Sequence, residues 1–274
     1  MAKKTSKKKE EEKKQAELAP GKVYVYNLEG KADGEAELPV CFKQDYRPDV
    51  IRRAVVVIEA NKRQPKAPKN TAGMRHSVQT WGKGRGVARV QRLMSSSKAA
   101  QSPNNVGGRR AHPPQTAADT GKRLNRKEML MAKLSALSAT GQAELVKARG
   151  HRFSEELTVP VVVKDDFESI KSTKQAVEVL SVLGVYDDVE RALDGKRIRA
   201  GRGKMRGRRY RMPRGPLVVL SGECAGWRSV RNIPGVDIAT PNGLNASLLA
   251  PGGDAGRLMV ITEGALKAMG GWDR

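Results

Sequence analysis

The side chains in this sequence best suited to chemistry are cationic, and they are concentrated in two segments. The chain of 274 residues has 52 Lys and Arg against 29 Asp and Glu, which gives a formal net charge of +23. Residues 62–110 hold twelve Lys or Arg and no acid, and residues 195–215 hold ten and no acid. Because guanidinium and ammonium groups bind phosphate, this pattern predicts a polyanionic partner.

Two pairs of adjacent carboxylates raise the alternative of a metal-dependent nuclease. Asp165 with Asp166, and Asp187 with Asp188, could ligate magnesium. Two-metal catalysis needs carboxylates that converge from several elements, however, and neither pair lies in a basic segment. Each pair stands near a predicted helix start, where acids stabilise the helix dipole. We interpret both pairs as structural.

Glycine-rich sequences raise the alternative of a nucleotide-binding loop. The two candidates are residues 82–84, Gly-Lys-Gly, and residues 201–203, Gly-Arg-Gly. Neither follows a predicted strand and opens a helix, and no Gly-Lys pair is followed by Ser or Thr. We therefore expect no cofactor, and we interpret these glycines as positions where the backbone passes close to RNA or where crowding in an extended arm is relieved.

The histidines and cysteines do not form a recognisable site. His76, His112 and His151 are scattered, with no Ser, Cys or Asp partner at an informative spacing. His112 follows two arginines closely, and we expect it to contact RNA rather than to catalyse. Cys41 and Cys224 are far apart and lack a CxxC spacing, so we expect two reduced core thiols and no metal site.

The elements that must position the basic segments alternate between short apolar strands and helices. Strands are predicted at residues 23–26, 38–42, 159–163, 217–220, 236–239 and 258–261. Apolar residues at helical spacing predict helices around residues 51–58, 130–141, 176–183, 244–249 and 263–269. This alternation predicts an α/β fold, a single domain with a largely parallel central sheet flanked by helices.

A long basic arm is predicted to be inserted into this domain near the N-terminus. Residues 63–118 form the predicted arm, in which Trp81 is the only aromatic residue and no apolar periodicity is present. The predicted body comprises residues 21–62 and 119–274, with a second basic loop at residues 195–215. Residues 1–20 are predicted to be a disordered basic tail. No apolar run approaches the roughly 20 residues of a membrane span, so we expect no membrane partner.

Several motifs in and around the two basic segments resemble one known family, the universal large-subunit ribosomal protein number four in its archaeal form. The most specific motif is TWGKGRGVAR at residues 80–89, which resembles the family signature W-G-x-G-R-x-x-A-R. The others are NKRQP at 61–65, GGRRAHPP at 107–114, RAGRGKMR at 199–206, RNIPGV at 231–236 and LAPGG at 249–253. The resemblance runs in order from about residue 21 to the C-terminus.

The resemblance implies a structural constituent of the large ribosomal subunit rather than an enzyme. It implies binding to 23S-type rRNA, support of subunit assembly, and an arm that lines part of the nascent-peptide exit tunnel. The implied partners are large-subunit rRNA, neighbouring large-subunit ribosomal proteins and the nascent polypeptide, in the cytoplasm and without homo-oligomers. No cofactor is implied; structural Mg²⁺ or K⁺ would be carried by the rRNA.

Site residues follow from the basic segments and the matched motifs. The expected rRNA-binding residues are Arg63, Lys69, Arg75, Trp81, Lys83, Arg85, Arg89, Arg92, Lys98, Arg109, Arg110 and His112 in the arm, and Arg197, Arg199, Arg202, Lys204, Arg206, Arg208, Arg209 and Arg211 in the second loop. The resemblance implies that the tunnel-facing residues are Gly82, Lys83, Gly84, Arg85, Arg89 and Arg92. Among these, Arg85 is the best candidate for a side chain near the nascent peptide.

Two rival function classes make different predictions. An RNA-processing enzyme, such as a methyltransferase or a nuclease, would need a cofactor loop or a carboxylate cluster. A non-specific nucleic-acid condenser would bind all RNAs alike and lose them steeply as salt rises.

Overall fold

A computed structural model describes residues 21–272, and the predicted tail at residues 1–20 lies outside this range. The chain divides into two compact units. We call residues 60–122 the insert and the remainder of the described residues, 21–59 and 123–272, the body. The predicted arm, residues 63–118, falls within the insert. Among the described residues, no helix has the length and apolar character required to cross a bilayer.

The strands of both units are short. In chain order they are β1 (Lys22–Tyr26), β2 (Ala32–Glu37), β3 (Val78–Thr80), β4 (Gln91–Leu93), β5 (Val161–Val163), β6 (Arg197–Ile198), β7 (Tyr210–Arg211), β8 (Leu217–Val219), β9 (Asp237–Ala239) and β10 (Met259–Thr262). Six of them form the central sheet of the body in the order β2–β1–β5–β10–β8–β9. Only β1 and β2 pair antiparallel, and all other neighbours in this sheet are parallel.

The helices surround this sheet. In chain order they are α1 (Pro48–Asn61), α2 (Arg126–Thr140), α3 (Ala143–Ala148), α4 (Thr173–Val182), α5 (Tyr186–Asp194), α6 (Ala225–Arg231), α7 (Ala246–Leu249) and α8 (Glu263–Met269). The α/β class and the largely parallel sheet are therefore as predicted.

The apolar side chains of the sheet alternate between two buried clusters. In β5, Val162 belongs to one cluster, while Val161 and Val163 belong to the other, and β8 and β10 alternate in the same way. The first cluster includes side chains of α1, α2, α7 and α8. The second includes side chains of α3, α4, α5 and α6. Because successive strand residues point to opposite faces, the sheet is covered by helices on both sides.

One predicted strand is wrong. Leu38 donates one backbone hydrogen bond to Gly21 (2.9 Å), but residues 38–42 form no strand; Val40–Phe42 form a short 3₁₀ helix that buries Cys41 and Phe42. The second strand is instead β2, whose sequence ADGEAE is exposed except for the half-buried Ala36. β2 lies at the edge of the sheet, where charged residues can remain in solvent, so it lacks the apolar pattern on which the prediction depended.

Candidate nucleic-acid interface

The insert is built around a short antiparallel hairpin. Strands β3 and β4 pair with Val78 opposite Leu93 and Thr80 opposite Gln91. Trp81 follows β3 directly. The guanidinium carbons of Arg85 and Arg92 lie 5.6 Å and 5.2 Å from the centre of its ring. Both distances are within the range of cation–π attraction, so the hairpin presents one aromatic ring with two cations.

The turn of this hairpin is open. Gly82, Gly84 and Gly86 have φ angles of +74°, +82° and +66°, a region that L side chains rarely adopt. A Cβ atom added at any of the three would have nothing within 4 Å. The backbone conformation, rather than crowding by the chain itself, therefore requires glycine here. The space around the turn is free to receive another molecule.

Farther from the turn, the two limbs of the insert cross at glycines. A Cβ on Gly73 would lie 2.6 Å from the backbone nitrogen of Arg109 and 2.7 Å from the carbonyl oxygen of Gly108, both in the other limb. Gln101 has a φ of +62°, and its side-chain amide donates hydrogen bonds to the carbonyl oxygens of Met74 (2.9 Å) and His76 (2.5 Å). The limbs are thus held together by backbone approach and polar contacts.

The ends of the insert are joined by one side chain. The Asn61 side-chain oxygen accepts a hydrogen bond from the backbone nitrogen of Lys122 (2.9 Å), and its nitrogen donates to the Lys122 carbonyl (3.1 Å). Within the insert, only Ala60 and Ala100 are buried apolar residues, at 5% and 8% exposure. The insert therefore has no hydrophobic core of its own.

The predicted arm residues are nearly all exposed. Arg92 is half-buried and donates to the carbonyl oxygens of Ser97 (2.5 Å) and Ala88 (3.4 Å). The other predicted residues of the arm, from Arg63 to His112, are exposed. Within the described part of the chain, none of the Lys or Arg residues of the insert forms an ion pair. Their charges are available to an external anion.

The second basic loop repeats the pattern of the insert hairpin. Strands β6 and β7 pair with Arg197 opposite Arg211, and the residues between them include a short 3₁₀ helix, Arg202–Arg206. The cations of Lys196 and Arg209 lie 4.9 Å and 5.7 Å from the centre of the Tyr210 ring. All eight predicted residues of this loop are exposed.

One member of the second acid pair, Asp188, belongs to a buried network that the sequence did not reveal, whereas Asp187 is exposed. Asp188 lies 2.9 Å from Nδ1 of His151 and accepts hydrogen bonds from the backbone nitrogen of Arg152 (3.0 Å) and from Nε of Arg191 (2.8 Å). Burial lowers the pKa of His151, and Asp188 only partly opposes this. Burial raises the pKa of Asp188, but the hydrogen bonds from His151 and Arg191 outweigh it, and the net shift is downward.

A second buried network surrounds Arg257, which is fully buried. Its guanidinium donates to the carboxylate of Asp237 (2.7 Å) and to the carbonyl oxygens of Gly215 (3.0 Å) and Leu248 (2.9 Å). Nη1 of Arg214 also donates to both carboxylate oxygens of Asp237, at 2.9 Å and 3.0 Å. Burial lowers the pKa of Arg257, and Asp237 opposes this shift.

Two further carboxylates, Asp165 and Glu168, tie loops together at the carboxyl ends of the parallel strands. Asp165 accepts a hydrogen bond from the backbone nitrogen of Gly264 (2.7 Å). Glu168 accepts from the nitrogen (2.7 Å) and the hydroxyl (2.5 Å) of Ser221 and from the hydroxyl of Thr262 (2.6 Å). Over residues 21–272, no group of three or more His, Cys, Asp or Glu could hold a metal ion. The hydrogen bonds of Asp165 and Glu168 therefore serve a structural role, since they join loops of the body.

The two thiols are not joined by a disulfide. Cys41 is buried in the first apolar cluster, and Cys224 is half-buried against the second.

Comparison with known proteins gives a consistent family match. The model of the ribosomal protein L4/L1 family matches residues 36–272. The large ribosomal subunit protein uL4 of Methanococcoides burtonii is 47% identical over 247 residues, which cover 90% of this chain and 97% of the relative. The proteins of the same name from Methanosphaera stadtmanae and Thermoplasma acidophilum are 44% and 45% identical, over 91% and 90% of this chain and 96% and 97% of each relative.

Proposed function

This chain belongs to the ribosomal protein L4/L1 family, and we propose how it acts in the large ribosomal subunit, where its role is structural and non-enzymatic. It binds 23S-type rRNA through the insert and the second basic loop, supports subunit assembly, and lines part of the nascent-peptide exit tunnel with the insert hairpin. The observation that carries this proposal is the unpaired, exposed charge of the insert.

The electrostatic argument begins with the twelve Lys and Arg at residues 62–110, which have no acid among them. If about ten of them each contact one phosphate, the logarithm of the affinity falls with the logarithm of the salt concentration with a slope of roughly −9. Arginine is favoured over lysine for partners of fixed shape, because its planar group makes bidentate contacts with phosphate. Folded rRNA is such a partner.

The energetic argument concerns the order of the insert. Fixing the backbone of one residue costs roughly 1–2 kcal/mol, and the insert buries only two apolar side chains to offset this. A large and dense contact with RNA supplies the missing stabilisation. Such a contact favours a permanent assembly over a transient complex, in agreement with a constituent of the subunit.

The tunnel part of the proposal depends on the hairpin turn. Residues 82–92 contain the open glycine turn and the two arginines that flank Trp81. The family resemblance supports a tunnel-facing position for Gly82, Lys83, Gly84, Arg85, Arg89 and Arg92. The partners proposed with them are the nascent polypeptide and neighbouring ribosomal proteins. The protein acts as one copy without a cofactor of its own, and Mg²⁺ or K⁺ arrives with the rRNA.

Co-sedimentation through a high-salt wash tests the RNA part. A variant with Arg85, Arg89, Arg109 and Arg110 changed to Gln should be lost from reconstituted large subunits. The control changes Lys22, Lys31, Lys147 and Lys267 to Gln; it removes the same charge from body residues that already pair with glutamates, and should stay bound. Equal retention of both variants, or loss of the wild type, would contradict the proposal.

Crosslinking tests the tunnel part separately. A photo-reactive residue at position 85 should crosslink to a stalled, labelled nascent chain, whereas one at position 231, an exposed residue of the body, should not. Crosslinks from position 85 to rRNA alone would overturn the tunnel part and leave the RNA part standing.

A further inference from the structure

We infer that a cationic cleft in the body holds a backbone phosphate of the RNA, an inference that rests on the rRNA binding proposed above. The cleft has a volume of about 760 Å³. Five arginines line it, with Asp254 as the only acid among the lining residues: Arg149, Arg191, Arg199, Arg211 and Arg214. Arg199 and Arg211 belong to the second basic loop. Arg214 lies near the end of the same loop, residues 195–215, whereas Arg149 and Arg191 lie outside both basic segments.

The cleft brings together parts of the chain that are distant in sequence. Arg149 follows α3, Arg191 lies on α5, and Arg214 lies in the segment that leads into β8. Asp254 lies in the segment that leads into β10. The cleft is thus formed where the chain enters β8 and β10, whereas ligands of open α/β sheets usually bind at the carboxyl ends of the strands. In this protein, Glu168 fills that opposite edge with contacts to Ser221 and Thr262.

Two of the arginines are held in place before any ligand arrives. Arg191 donates from Nε to Asp188 (2.8 Å) and from Nη2 to the carbonyl oxygen of Arg214 (2.8 Å). Arg214 is fixed in turn by its two contacts with Asp237, which the buried Arg257 also contacts. Because these side chains are already ordered, an anion that binds them costs less conformational entropy than one that binds a flexible surface lysine.

Arg149 supplies the donor that lacks a partner. Its Nη2 donates to the carbonyl oxygen of Pro251 at 2.9 Å. Its Nη1 is buried, and among the described residues no acceptor lies within hydrogen-bonding distance of it. Burial lowers the pKa of Arg149; Asp254 opposes this, and the neighbouring Arg191 adds to it. A phosphate oxygen in the cleft would satisfy the donor after a small rotation of the guanidinium and would relieve the repulsion between the two cations.

A polyanionic chain fits the surroundings better than an isolated anion. A second opening of about 620 Å³ adjoins the cleft and shares Arg199 and Arg211 with it. Arg197 and Arg208 line this second opening as well. Cations therefore continue from one opening to the next, as successive phosphates of an RNA strand require. Asp254, the one acid, lies 3.5 Å from Nη2 of Arg52, which offsets its charge.

The salt dependence of rRNA binding by the full-length protein tests this inference. Arg149→Gln should lower the affinity for 23S-type rRNA roughly tenfold at about 150 mM salt and reduce the slope of log affinity against log salt by about 1. The matched control is Arg152→Gln, which removes the same charge from an exposed residue three positions along the chain that does not line the cleft, and should change affinity less than about twofold. Arg149→Lys should restore the slope but not the full affinity, because lysine keeps the charge and lacks the fork.

Each outcome of these binding measurements leads to one conclusion. If Arg149→Gln keeps its melting temperature and binds rRNA with the wild-type slope, the cleft holds no phosphate, while the proposed function stands. If the wild-type protein itself fails to bind rRNA, the proposed function is wrong, and the inference that rests on it is wrong as well. If Arg149→Gln loses binding to polyglutamate but not to rRNA, the cleft serves an acidic protein, and the inference is overturned.

Discussion

In the body, a six-stranded sheet is covered on both faces by buried apolar side chains, whereas the insert buries only Ala60 and Ala100. The body therefore gains free energy from hydrophobic burial, at about 25 cal/mol per Å² of apolar surface removed from water. The insert is held instead by the close backbone approach at Gly73, by the hydrogen bonds of the Gln101 amide, and by the hydrogen bonds between Asn61 and Lys122. These contacts specify a shape, but they contribute little stability once their entropy cost is counted.

The comparison also shows what the two units have in common. Each contains a short hairpin with one aromatic ring and two cations beside it, Trp81 in the insert and Tyr210 in the body. The body presents its hairpin from a folded sheet, and the insert presents its own without a core. The same surface chemistry is thus attached to two parts of the chain that differ in their source of stability.

The largest expected difference between the units is in the free energy of unfolding after one aromatic side chain is removed from each. Phe167→Ala should lower the free energy of unfolding by about 3–5 kcal/mol, because Phe167 is fully buried in the body. Trp81→Ala should change it by no more than about 0.5 kcal/mol, because Trp81 is 37% exposed and lies outside any core. Urea denaturation followed by far-UV circular dichroism measures both. A loss of several kcal/mol in Trp81→Ala would show that the insert and the body share one source of stability.

Proteolysis of the RNA-free protein should reveal the next largest difference. Trypsin should cut after Arg85 at least roughly a hundredfold faster than after Lys133 in α2 or Arg191 in α5, because cleavage in the helices requires opening of the body. Mass spectrometry of timed digests measures these rates. Equal protection of the three sites would contradict the contrast between the units.

The smallest expected effect is a pH dependence confined to the body. His151 has a folded-state pKa below its ordinary value of 6.5, so the unfolded chain takes up a proton first as the pH falls. Stability should then decrease below about pH 6.5, with a slope of at most about 1.4 kcal/mol per pH unit from this group. Asp188 also has a lowered pKa, so a further loss should follow below its ordinary value of 3.8.

Two histidine variants isolate this pH dependence. His151→Gln should flatten the decrease between about pH 6.5 and 5, measured by urea denaturation at several pH values. His112→Gln, in the insert, should leave the curve unchanged. If His112→Gln flattened the curve and His151→Gln left it unchanged, the buried network of the body would not be the source of the pH dependence.

The sequence predicted the fold class well, because β5, β8 and β10 are continuous apolar runs of strand length. The arm at residues 63–118, inferred from its charge and its lack of apolar periodicity, stays a prediction; this segment buries only Ala100 among its apolar side chains. The sequence did not predict the hairpin of β3 and β4, since strands of three residues are too short for an alternating pattern to appear. The edge strand β2 was missed for a different reason, its nearly complete exposure.

The cationic cleft was harder to predict than the basic segments. Arg149 and Arg191 are single charges in ordinary helical surroundings, and only the fold brings them beside Arg214. The partnership of His151 with Asp188 spans 37 positions, and no spacing rule connects them. Composition identifies clusters of like charge along the chain, but it does not identify buried side chains whose partners are chosen by tertiary structure.

The position of β10 in the sheet has a consequence for the synthesis of this protein. β10 lies between β5 and β8, although it is the last of the described strands in chain order. The two parts of the sheet cannot join until residue 262 has been made, which takes roughly 13–52 s at about 5–20 residues per second. Between the synthesis of β5 and that of β10, the growing chain exposes apolar strands beside a dense positive charge. In this interval the chain is therefore most prone to aggregation and to contact with other polyanions.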